Sequence, residues 1–402
     1  MERAISLIGI IVFIGISYAL SVNRKAIRWR TIAWGLALEF GFALLILKTP
    51  WGLTVFKSLG DVIENFLSYS DVGAKFVFGD KYKDHLFAFQ ILPTIIFFSA
   101  FISILYHYGI LQRIVNGMAW VMMKTMQTSG AESLSTAGNI FLGPTESPLM
   151  VKPYVAKMTQ SELFAVMTGG FATVAGGVLG AYLSFGLPAA HLIAAFFMTA
   201  PTALVVAKLL YPETEVAETA GNVKMDIKTN YVNAIDAATT GAIDGVKLAV
   251  NVGVMIMAFL GLLAAANALL GWIGARVFLP QLSLEWILSF VMAPIAFLMG
   301  VPLADCMQVG ALLGKKTILN EFLAYLDLKT LIEKKQISER AIIIATYALC
   351  NFANIGSIGI TIGGITGMAP NRQHDLARMG VKSMIGGLLA GFITAAIAGM
   401  LV

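Results

Sequence analysis

The sequence predicts an all-α polytopic membrane protein with eight transmembrane helices and two re-entrant helical hairpins. Of its 402 residues, 58% are hydrophobic and only 13% are charged, whereas a soluble domain carries about 25% charged residues. Apolar runs of about 20 residues, the length that crosses a bilayer, recur along the chain. Between them lie two semi-polar segments that are broken by glycine and proline, a pattern typical of backbone lining a wet cavity.

Eight apolar runs are long enough to cross a membrane. The first, Ala4–Val22, is too long for a signal peptide and lacks an Ala-x-Ala cleavage site, so we expect it to be retained. The seventh, Ala341–Asn371, is uncharged but too long and too rich in glycine for one straight helix. The other six are predicted at Thr31–Leu47, Leu86–Leu105, Leu163–Leu187, Ala189–Val206, Leu248–Leu270 and Ser383–Val402.

Three further helices are predicted to lie in the membrane interface. Trp51–Tyr69 groups its apolar residues on one helical face and its charged residues elsewhere, as interfacial helices do. Ile110–Gln127 and Leu284–Met299 have a similar character. Glu213–Asp236 is polar and charged, which predicts an aqueous linker.

The segments Gly130–Lys157 and Val301–Tyr325 are interpreted as re-entrant hairpins within an internal repeat. Four short matches recur in the same order at offsets of 173 to 181 positions, among them Ala119–Met122 with Ala296–Met299. Three predicted spans separate the two repeat starts, so the second copy is expected to be inverted. Inverted repeats with broken helices at the membrane midplane are typical of transporters.

The pattern divides the chain into five units and predicts its orientation. The basic cluster Arg24–Arg30 follows the first span, and the excess of positive charge on cytoplasmic loops places it inside. Eight spans would then leave both termini outside. The predicted units are residues 1–48 (first two spans, scaffold), 49–85 (interfacial helix and linker), 86–212 (first repeat), 213–244 (polar linker) and 245–402 (second repeat).

The hairpins carry the two carboxylates that are most expected to be functional. In the first, Gly143 and Pro144 break helical geometry and expose backbone groups beside Thr145 and Glu146. In the second, Glu321 lies in a largely apolar stretch. A carboxylate inside a bilayer is costly unless it is paired or hydrated, so each is a candidate site residue. A purely structural ion pair of Glu321 with one of the preceding lysines remains the alternative.

Two uncharged spans are interrupted by glycines that stand beside polar side chains. In the fourth span, Gly169–Gly177, close helix packing through small residues accounts for the glycines. In the seventh, Cys350–Gly359, packing accounts less well for Asn354 and Ser357, because amides are costly in lipid without partners.

Several soluble-protein functions are excluded by spacing. The two cysteines and four histidines have no zinc-ligand spacing. Gly310–Lys315 has one residue too few for a phosphate-binding P-loop. We therefore expect no enzyme and no cofactor, and no nucleic-acid partner, because the basic residues lie in short loops between apolar runs. A membrane enzyme acting on lipid-linked substrates would need a nucleophile or metal cluster, and a channel would fail a test for saturable counterflow.

Two motifs in the hairpins match a known family. Gly314–Tyr325 meets the signature Gly or Ala, any residue, Lys, three residues, Asn-Glu-Phe-Val-Ala and an aromatic or Met, with Leu323 in place of Val. Asn139–Glu146 meets Asn-Ile-Phe-Val-Gly-Gln-Thr-Glu, with Leu142 in place of Val and Pro144 in place of Gln. On these residues, and over nearly its whole length, the chain resembles the concentrative nucleoside transporters of the eight-span bacterial type.

The resemblance implies a homotrimer in the lipid of the bacterial inner membrane that imports nucleosides with a sodium gradient. A transport domain would move like an elevator against a trimerising scaffold, and sodium would be the coupling ion. Some bacterial relatives use protons, so a proton-coupled nucleoside or nucleobase transporter remains the alternative. Ribose-binding residues argue against a nucleobase.

The resemblance also assigns site residues. Substrate contacts are implied for Thr145, Glu146, Glu321, Phe352, Asn354 and Ser357. Sodium ligands are implied for Asn139, Leu142, Thr173 and Val174, the second and fourth through carbonyl oxygens. Proline has no side-chain amide, so the family's direct base contact is absent at Pro144 and the preference for purine or pyrimidine stays open.

Overall fold

A computed structural model describes residues 2–82, 89, 91–221 and 231–402, and no β-strand occurs among them. The predicted all-α fold is confirmed. The α-helices are α1 (Glu2–Ala19), α2 (Trp29–Lys48), α3 (Pro50–Leu67), α4 (Ser70–Phe78), α5 (Leu92–His107), α6 (Ile110–Met126), α7 (Gly130–Gly138), α8 (Lys152–Val155), α9 (Gln160–Ala172), α10 (Gly176–Leu183), α11 (Ala189–Leu210), α12 (Ala234–Arg276), α13 (Leu284–Leu298), α14 (Cys306–Ile318), α15 (Glu321–Glu333), α16 (Glu339–Leu349), α17 (Ile355–Thr366) and α18 (Gln373–Leu401).

Among the described residues, five helices are both long and apolar enough to cross a membrane. They are α1, α2, α11, α12 and the stretch Pro370–Leu401 that contains α18. The helices α5 and α6 satisfy the same criteria only together, with a bend of 75° between them. The total of eight spans remains a prediction, and part of the predicted third span, residues 86–88 and 90, lies outside the described residues.

The predicted fourth and seventh spans are each two helices in line with a break between them. The fourth consists of α9 and α10, and the seventh of α16 and α17. Both breaks fall where glycine and polar residues interrupt an apolar run, because such residues supply little helix stability. The two short gaps leave backbone groups free of helical hydrogen bonds inside the protein.

The two predicted hairpins are helical arms separated by non-helical turns. The first has α7 as one arm and a 3₁₀ turn, Ser147–Val151, followed by α8 as the other. The second pairs α14 with α15, and its second arm continues to Glu333, beyond the predicted end at Tyr325. At the polar linker, α12 already begins at Ala234, and residues 222–230 lie outside the described part of the chain.

Two helix groups organise the packing. In one, α12 lies along α5, where a Cβ on Gly241 would meet Ser103 Oγ at 2.3 Å, so that only glycine permits this approach. In the other, α18 runs through a bundle with α1, α9, α11 and α16. The hairpins and both broken spans pack against this second group, which therefore carries the candidate site.

A buried ion pair anchors the base of the first hairpin. Ser129 and Glu132 form a capping box at the start of α7, in which Ser129 N–H donates to Glu132 Oε1 at 2.8 Å. Lys208 at the end of α11 lies 2.6 Å from the other oxygen of Glu132 and donates to Ser161 at the start of α9. A carboxylate at a helix N-terminus is stabilised by the helix dipole, so this network fixes α7 relative to α9 and α11.

Candidate functional site

The tip of the first hairpin is an unwound turn held by its own polar groups. Asn139 caps the C-terminus of α7, and Ser147 Oγ donates to its Oδ1 at 2.7 Å. Gly143 N–H donates to a carboxylate oxygen of Glu146. Pro144 packs on α9, where a Cβ on Gly170 would lie 3.0 Å from Pro144 Cβ. The proline that replaces the family's Gln is thus part of the helix packing.

The break in the fourth span lies directly against this tip. Thr173 follows α9, and its Oγ1 donates to Gly169 O at 3.2 Å and to Asn139 O at 3.5 Å. Asn139 Nδ2 is buried without a hydrogen-bond partner. The structure therefore brings together two of the predicted sodium residues, Asn139 and Thr173, while Leu142 and Val174 adjoin them in the same tip and the same break.

Two helix C-termini converge at this point. α7 ends at Gly138 and α9 ends at Ala172, so Asn139 and Thr173 each stand directly after a helix C-terminus. The tip backbone donates to Ala137 O and Gly138 O, and Thr173 Oγ1 donates to Gly169 O. The helix dipoles add partial negative charge there. Such an arrangement favours a small cation with oxygen ligands.

Glu321 is the buried carboxylate of the second hairpin. It begins α15, where Asn320 acts as N-cap and accepts from Leu323 N–H at 2.9 Å. Its side chain is 3% exposed, and Oε1 accepts from Tyr182 O–H at 2.8 Å. Oε2 is buried without a hydrogen-bond partner. One strong acceptor oxygen is therefore left free inside the protein.

The alternative of a structural ion pair for Glu321 is wrong. Lys315 pairs with Asp327 instead. Lys316 donates to Asn351 Oδ1. Among the ion pairs within 4 Å in the described residues, none includes Glu321. Since a buried acceptor without a partner is costly, the free oxygen of Glu321 points to a ligand rather than to a structural role.

The break in the seventh span orients an amide and a hydroxyl towards the same place. Asn354 is the N-cap of α17, and its Oδ1 accepts from both the N–H and the Oγ of Ser357 at 2.9 Å. Both residues are buried, and Asn354 lies beside the Glu321 carboxylate. Because its oxygen accepts from Ser357, the amide nitrogen of Asn354 is the group left to donate, and it lies next to the Glu321 carboxylate.

Two contacts join the halves into one site. Phe352 N–H donates to Thr173 O at 3.2 Å, so the breaks of the fourth and seventh spans touch. Thr145 at the first-hairpin tip lies against α17, where a Cβ on Gly364 would be 2.5 Å from Thr145 Cγ2. The tip, both breaks and α17 are therefore linked by direct contacts, with Thr145 touching α17 about 15 Å along the helix from Asn354. Phe352 is half-buried.

Glu146 occupies a different position from Glu321. Its side chain is exposed and accepts a hydrogen bond from Gly143 N–H in the tip. The negative charge of Asp244 on α12 acts on it electrostatically. No hydrogen bond joins Glu146 to Glu321 in the described part of the chain. The structure therefore does not bring the two predicted carboxylates into contact: Glu321 is buried and Glu146 is exposed.

One contact was missed by sequence reasoning. Tyr182 on α10 is fully buried and supplies the hydrogen bond that orients Glu321. A tyrosine in an uncharged span is a usable signal, because a buried tyrosine hydroxyl normally finds a polar partner. The Tyr182 ring also contacts Tyr325 in a tilted arrangement with 4.7 Å between the ring centroids, so two aromatic rings lie behind the carboxylate.

Gly364→Ala is expected to lower the affinity for nucleosides, the ligands that the resemblance implies, about tenfold. The methyl group of the alanine would clash with Thr145 and push the first-hairpin tip away from α17. The matched control is Gly363→Ala, since a Cβ there meets nothing within 4 Å. Isothermal titration with nucleosides measures both variants. Thr145→Ser, which removes the clashing methyl group, should restore part of the loss, and equal effects of the two glycine substitutions would contradict the contact.

Comparison with known proteins agrees with the geometry. Three family models match: Na+ dependent nucleoside transporter C-terminus over residues 191–399, Na+ dependent nucleoside transporter N-terminus over 8–81, and Nucleoside recognition over 88–189. The first alone spans more than half of the chain. Together the three matches cover both hairpins and both broken spans.

Relatives and solved structures match along the whole chain. Solute carrier family 28 member 3 from Homo sapiens is 45% identical over an alignment of 414 residues that covers 100% of this chain and 60% of that protein. Sodium/nucleoside cotransporter 1 from Mus musculus is 45% identical over 416 residues, 100% of this chain and 64% of its own length. The chain thus spans about three fifths of the length of the curated relatives it matches.

Two solved states of CNTnw have a similar fold. The inward-facing substrate-bound state has a TM-score of 0.93 at 39% identity, with 100% of this chain and 98% of that chain covered. An outward-facing state of a CNTnw variant has a TM-score of 0.95 at 38% identity, with the same coverage. The chain belongs to the Na+ dependent nucleoside transporter family.

Proposed function

We propose that this protein is a sodium-coupled symporter that imports nucleosides by alternating access of a site at the membrane midplane. The observation that carries the proposal is the free buried oxygen of Glu321 beside the amide donor of Asn354. The vicinal hydroxyls of a ribose each donate and accept, so a carboxylate acceptor next to an amide donor complements them. Because a nucleoside is uncharged, sodium acts as the coupling ion and not as a counter-ion to the substrate.

The substrate contacts divide between sugar and base. Glu321, Asn354 and Ser357 hold the ribose hydroxyls, with Tyr182 fixing the carboxylate. Thr145, Glu146 and Phe352 face the base, the last as a half-buried ring on which a base can stack. Because Pro144 is packed on Gly170, base selection at this position proceeds without a side-chain hydrogen bond.

Sodium binds where α7 and α9 end. The ligands are the Asn139 side chain and Thr173 Oγ1, with carbonyl oxygens of Leu142 and Val174. Neutral oxygen ligands suit a hard monovalent cation. The proton-coupled alternative is less well supported, because the four proposed ligands are amide, hydroxyl and carbonyl groups, and none of these groups gains or loses a proton near neutral pH.

The two sites are coupled through the contact of Phe352 with Thr173. An ion that orders Thr173 also fixes the carbonyl to which Phe352 N–H donates, and so places the aromatic ring and the adjacent Asn354. The coupling free energy is the difference in sodium affinity between the nucleoside-bound and free states. Each ligand thereby raises the affinity for the other.

The proposed assembly is a homotrimer in the bacterial inner membrane. α12 carries a long exposed apolar face, including Val246, Val250, Val254 and Met257, and packs lengthwise on α5. Apolar surface of this extent faces lipid or another subunit. The α5–α12 pair therefore forms the scaffold together with α1 and α2, while α9, α11, α16 and α18 with the two hairpins form the moving transport domain. With the basic cluster after α1 on the inside, eight spans leave both termini outside.

Uptake into proteoliposomes tests the function. With an inward sodium gradient, labelled uridine or adenosine should accumulate above its external concentration, and collapse of the gradient should reduce uptake to equilibration. Uracil, adenine and 2′,3′-dideoxyuridine serve as controls without the ribose hydroxyls. Accumulation driven by a proton gradient alone, or equal uptake of uracil, would contradict the proposal.

A further inference from the structure

Lys316 is a lysine buried completely inside the second hairpin. It lies on α14 and is 0% exposed, whereas the adjacent Lys315 is only partly buried and pairs with Asp327. A buried ammonium group is costly unless charges or oriented dipoles compensate it. Lysine is also almost never fully buried without a partner. Its position therefore calls for a specific role.

The environment of Lys316 is built to hold a cation. Lys316 Nζ donates to Asn351 Oδ1. Asn351 is itself fixed, because its Nδ2 donates to Ala348 O at 3.0 Å and its Oδ1 accepts from Ala353 N–H at 3.4 Å. The Glu321 carboxylate acts on Lys316 electrostatically, yet no ion pair within 4 Å joins these two described residues. The hydrogen bond of the Lys316 amine is thus to one oriented amide oxygen, and Glu321 acts on it from a greater distance.

Two helix C-termini also converge on Lys316. α14 ends at Ile318, two residues after it, and α16 ends at Leu349, two residues before Asn351. The C-terminal ends of both helices carry partial negative charge from the helix dipole. The ends of α7 and α9 create the same kind of environment around Asn139 and Thr173 in the first hairpin.

The internal repeat relates these two environments element by element. α7 and α9 are the first arm of the first hairpin and the first half of the fourth span, and α14 and α16 hold the same places in the second hairpin and the seventh span. Lys316 lies 177 positions after Asn139, and Asn351 lies 178 positions after Thr173. Both separations fall within the range of 173 to 181 that the repeat matches span.

We propose that the Lys316 ammonium is a covalently tethered cation that takes, in the second repeat, the place that sodium takes in the first. Lys316 is a positioning residue: it holds Asn351 and the seventh-span break in place and balances the charge of Glu321, without touching the nucleoside. The inference rests on the proposed function, because it uses the proposed sodium site as its counterpart. The first repeat thus binds sodium from solution, whereas the second repeat contains the Lys316 ammonium as a permanent cation.

Two substitutions of Lys316 test the idea: Met fills the space of the lysine side chain, whereas Ala leaves space for a cation from solution. Lys316→Met keeps the shape and removes the charge, and is expected to raise the nucleoside dissociation constant at least tenfold in titration of the purified full-length protein. Lys316→Ala is expected to show a similar loss but to be partly restored by ethylammonium, which fits the vacated space, and not by tetramethylammonium, which has no N–H donor. Lys315→Met, the matched control, should stay within about twofold of wild type, because Lys315 is only partly buried and its partner Asp327 is exposed to solvent.

A second readout keeps the test independent of transport. Ethylammonium, or a high concentration of sodium, should raise the thermal unfolding temperature of Lys316→Ala more than that of wild type or Lys316→Met. If the variant folds poorly, the recovery of monodisperse protein with ethylammonium replaces this measurement. Wild-type nucleoside affinity of Lys316→Met, or failure of ethylammonium to act on Lys316→Ala, would overturn the proposal. Loss of nucleoside binding by wild type and Lys315→Met alike would instead count against the proposed function.

Discussion

Replacement of Glu321 by Gln is expected to abolish nucleoside uptake. The substitution replaces one carboxylate oxygen by an NH2 group, which donates, and leaves the other as a neutral carbonyl oxygen. The buried charged acceptor is therefore lost, and Tyr182 O–H keeps at most a neutral acceptor. Hydrogen bonds to a charged group contribute about 1.5–3 kcal/mol each. Loss of this strength at two ribose hydroxyls corresponds to at least about a hundredfold weaker binding. Proteoliposome uptake and titration with uridine and adenosine measure the effect.

Glu333→Gln is the matched control for this prediction. Glu333 ends the same helix, is exposed, and forms only a weak surface pair with Lys329 at 3.7 Å, so its substitution should leave uptake unchanged. Deoxynucleosides sharpen the assignment: wild type should discriminate against 2′- and 3′-deoxy analogues, and Glu321→Gln should lose most of that discrimination. Normal transport by Glu321→Gln would remove Glu321 from the ribose site.

The broken helices could be predicted because their signals are local. Glycine, proline and polar residues within an apolar run mark positions where helical hydrogen bonding fails. The tip at Gly143–Pro144 and the interruptions within Gly169–Gly177 and Cys350–Gly359 all appear in the structure as non-helical turns. The capping residue Asn354 belongs to the same class, since an N-cap is a property of its own helix.

The contacts that make these breaks one site could not be predicted in the same way. Tyr182 and Glu321 are 139 positions apart, and the Lys316–Asn351 bond joins residues 35 apart on different elements. Both depend on how the two repeats pack, which no local pattern specifies. Because Lys316 precedes Glu321 closely in the sequence, an ion pair between them was the alternative. In the structure α14 ends between the two residues, and the Lys316 amine donates to Asn351 instead.

Pro144 is a third case in which packing decides the role of a residue. From the sequence, the substitution of the family's Gln indicates only that a side-chain amide is absent. The structure places the ring on Gly170, so the proline stiffens the tip against α9. A rigid tip lowers the conformational entropy lost on binding, which offsets part of the missing hydrogen bond to the base.

Asn139→Ala is expected to raise the sodium concentration for half-maximal nucleoside binding at least about tenfold, the cost of one lost oxygen ligand of about 1.4 kcal/mol. The Ser147 hydroxyl also loses its acceptor, which loosens the tip. Nucleoside titrations across a series of sodium concentrations, with choline as the replacement cation, measure the shift. Affinity at saturating sodium should stay near wild type, because the two ligands are linked only through the occupied ion site.

Thr173 provides a matched pair for the same ion site. Thr173→Ser keeps the oxygen that lies by Asn139 and should behave nearly as wild type, whereas Thr173→Val keeps the shape and should shift sodium dependence as Asn139→Ala does. Asn65→Ala, at an exposed position on α3, should change neither titration. Unchanged sodium dependence in both Asn139→Ala and Thr173→Val would place the ion elsewhere. It would also leave the contact between Thr173 and Phe352 without a part in coupling, because an ion bound elsewhere has no differential effect on that break.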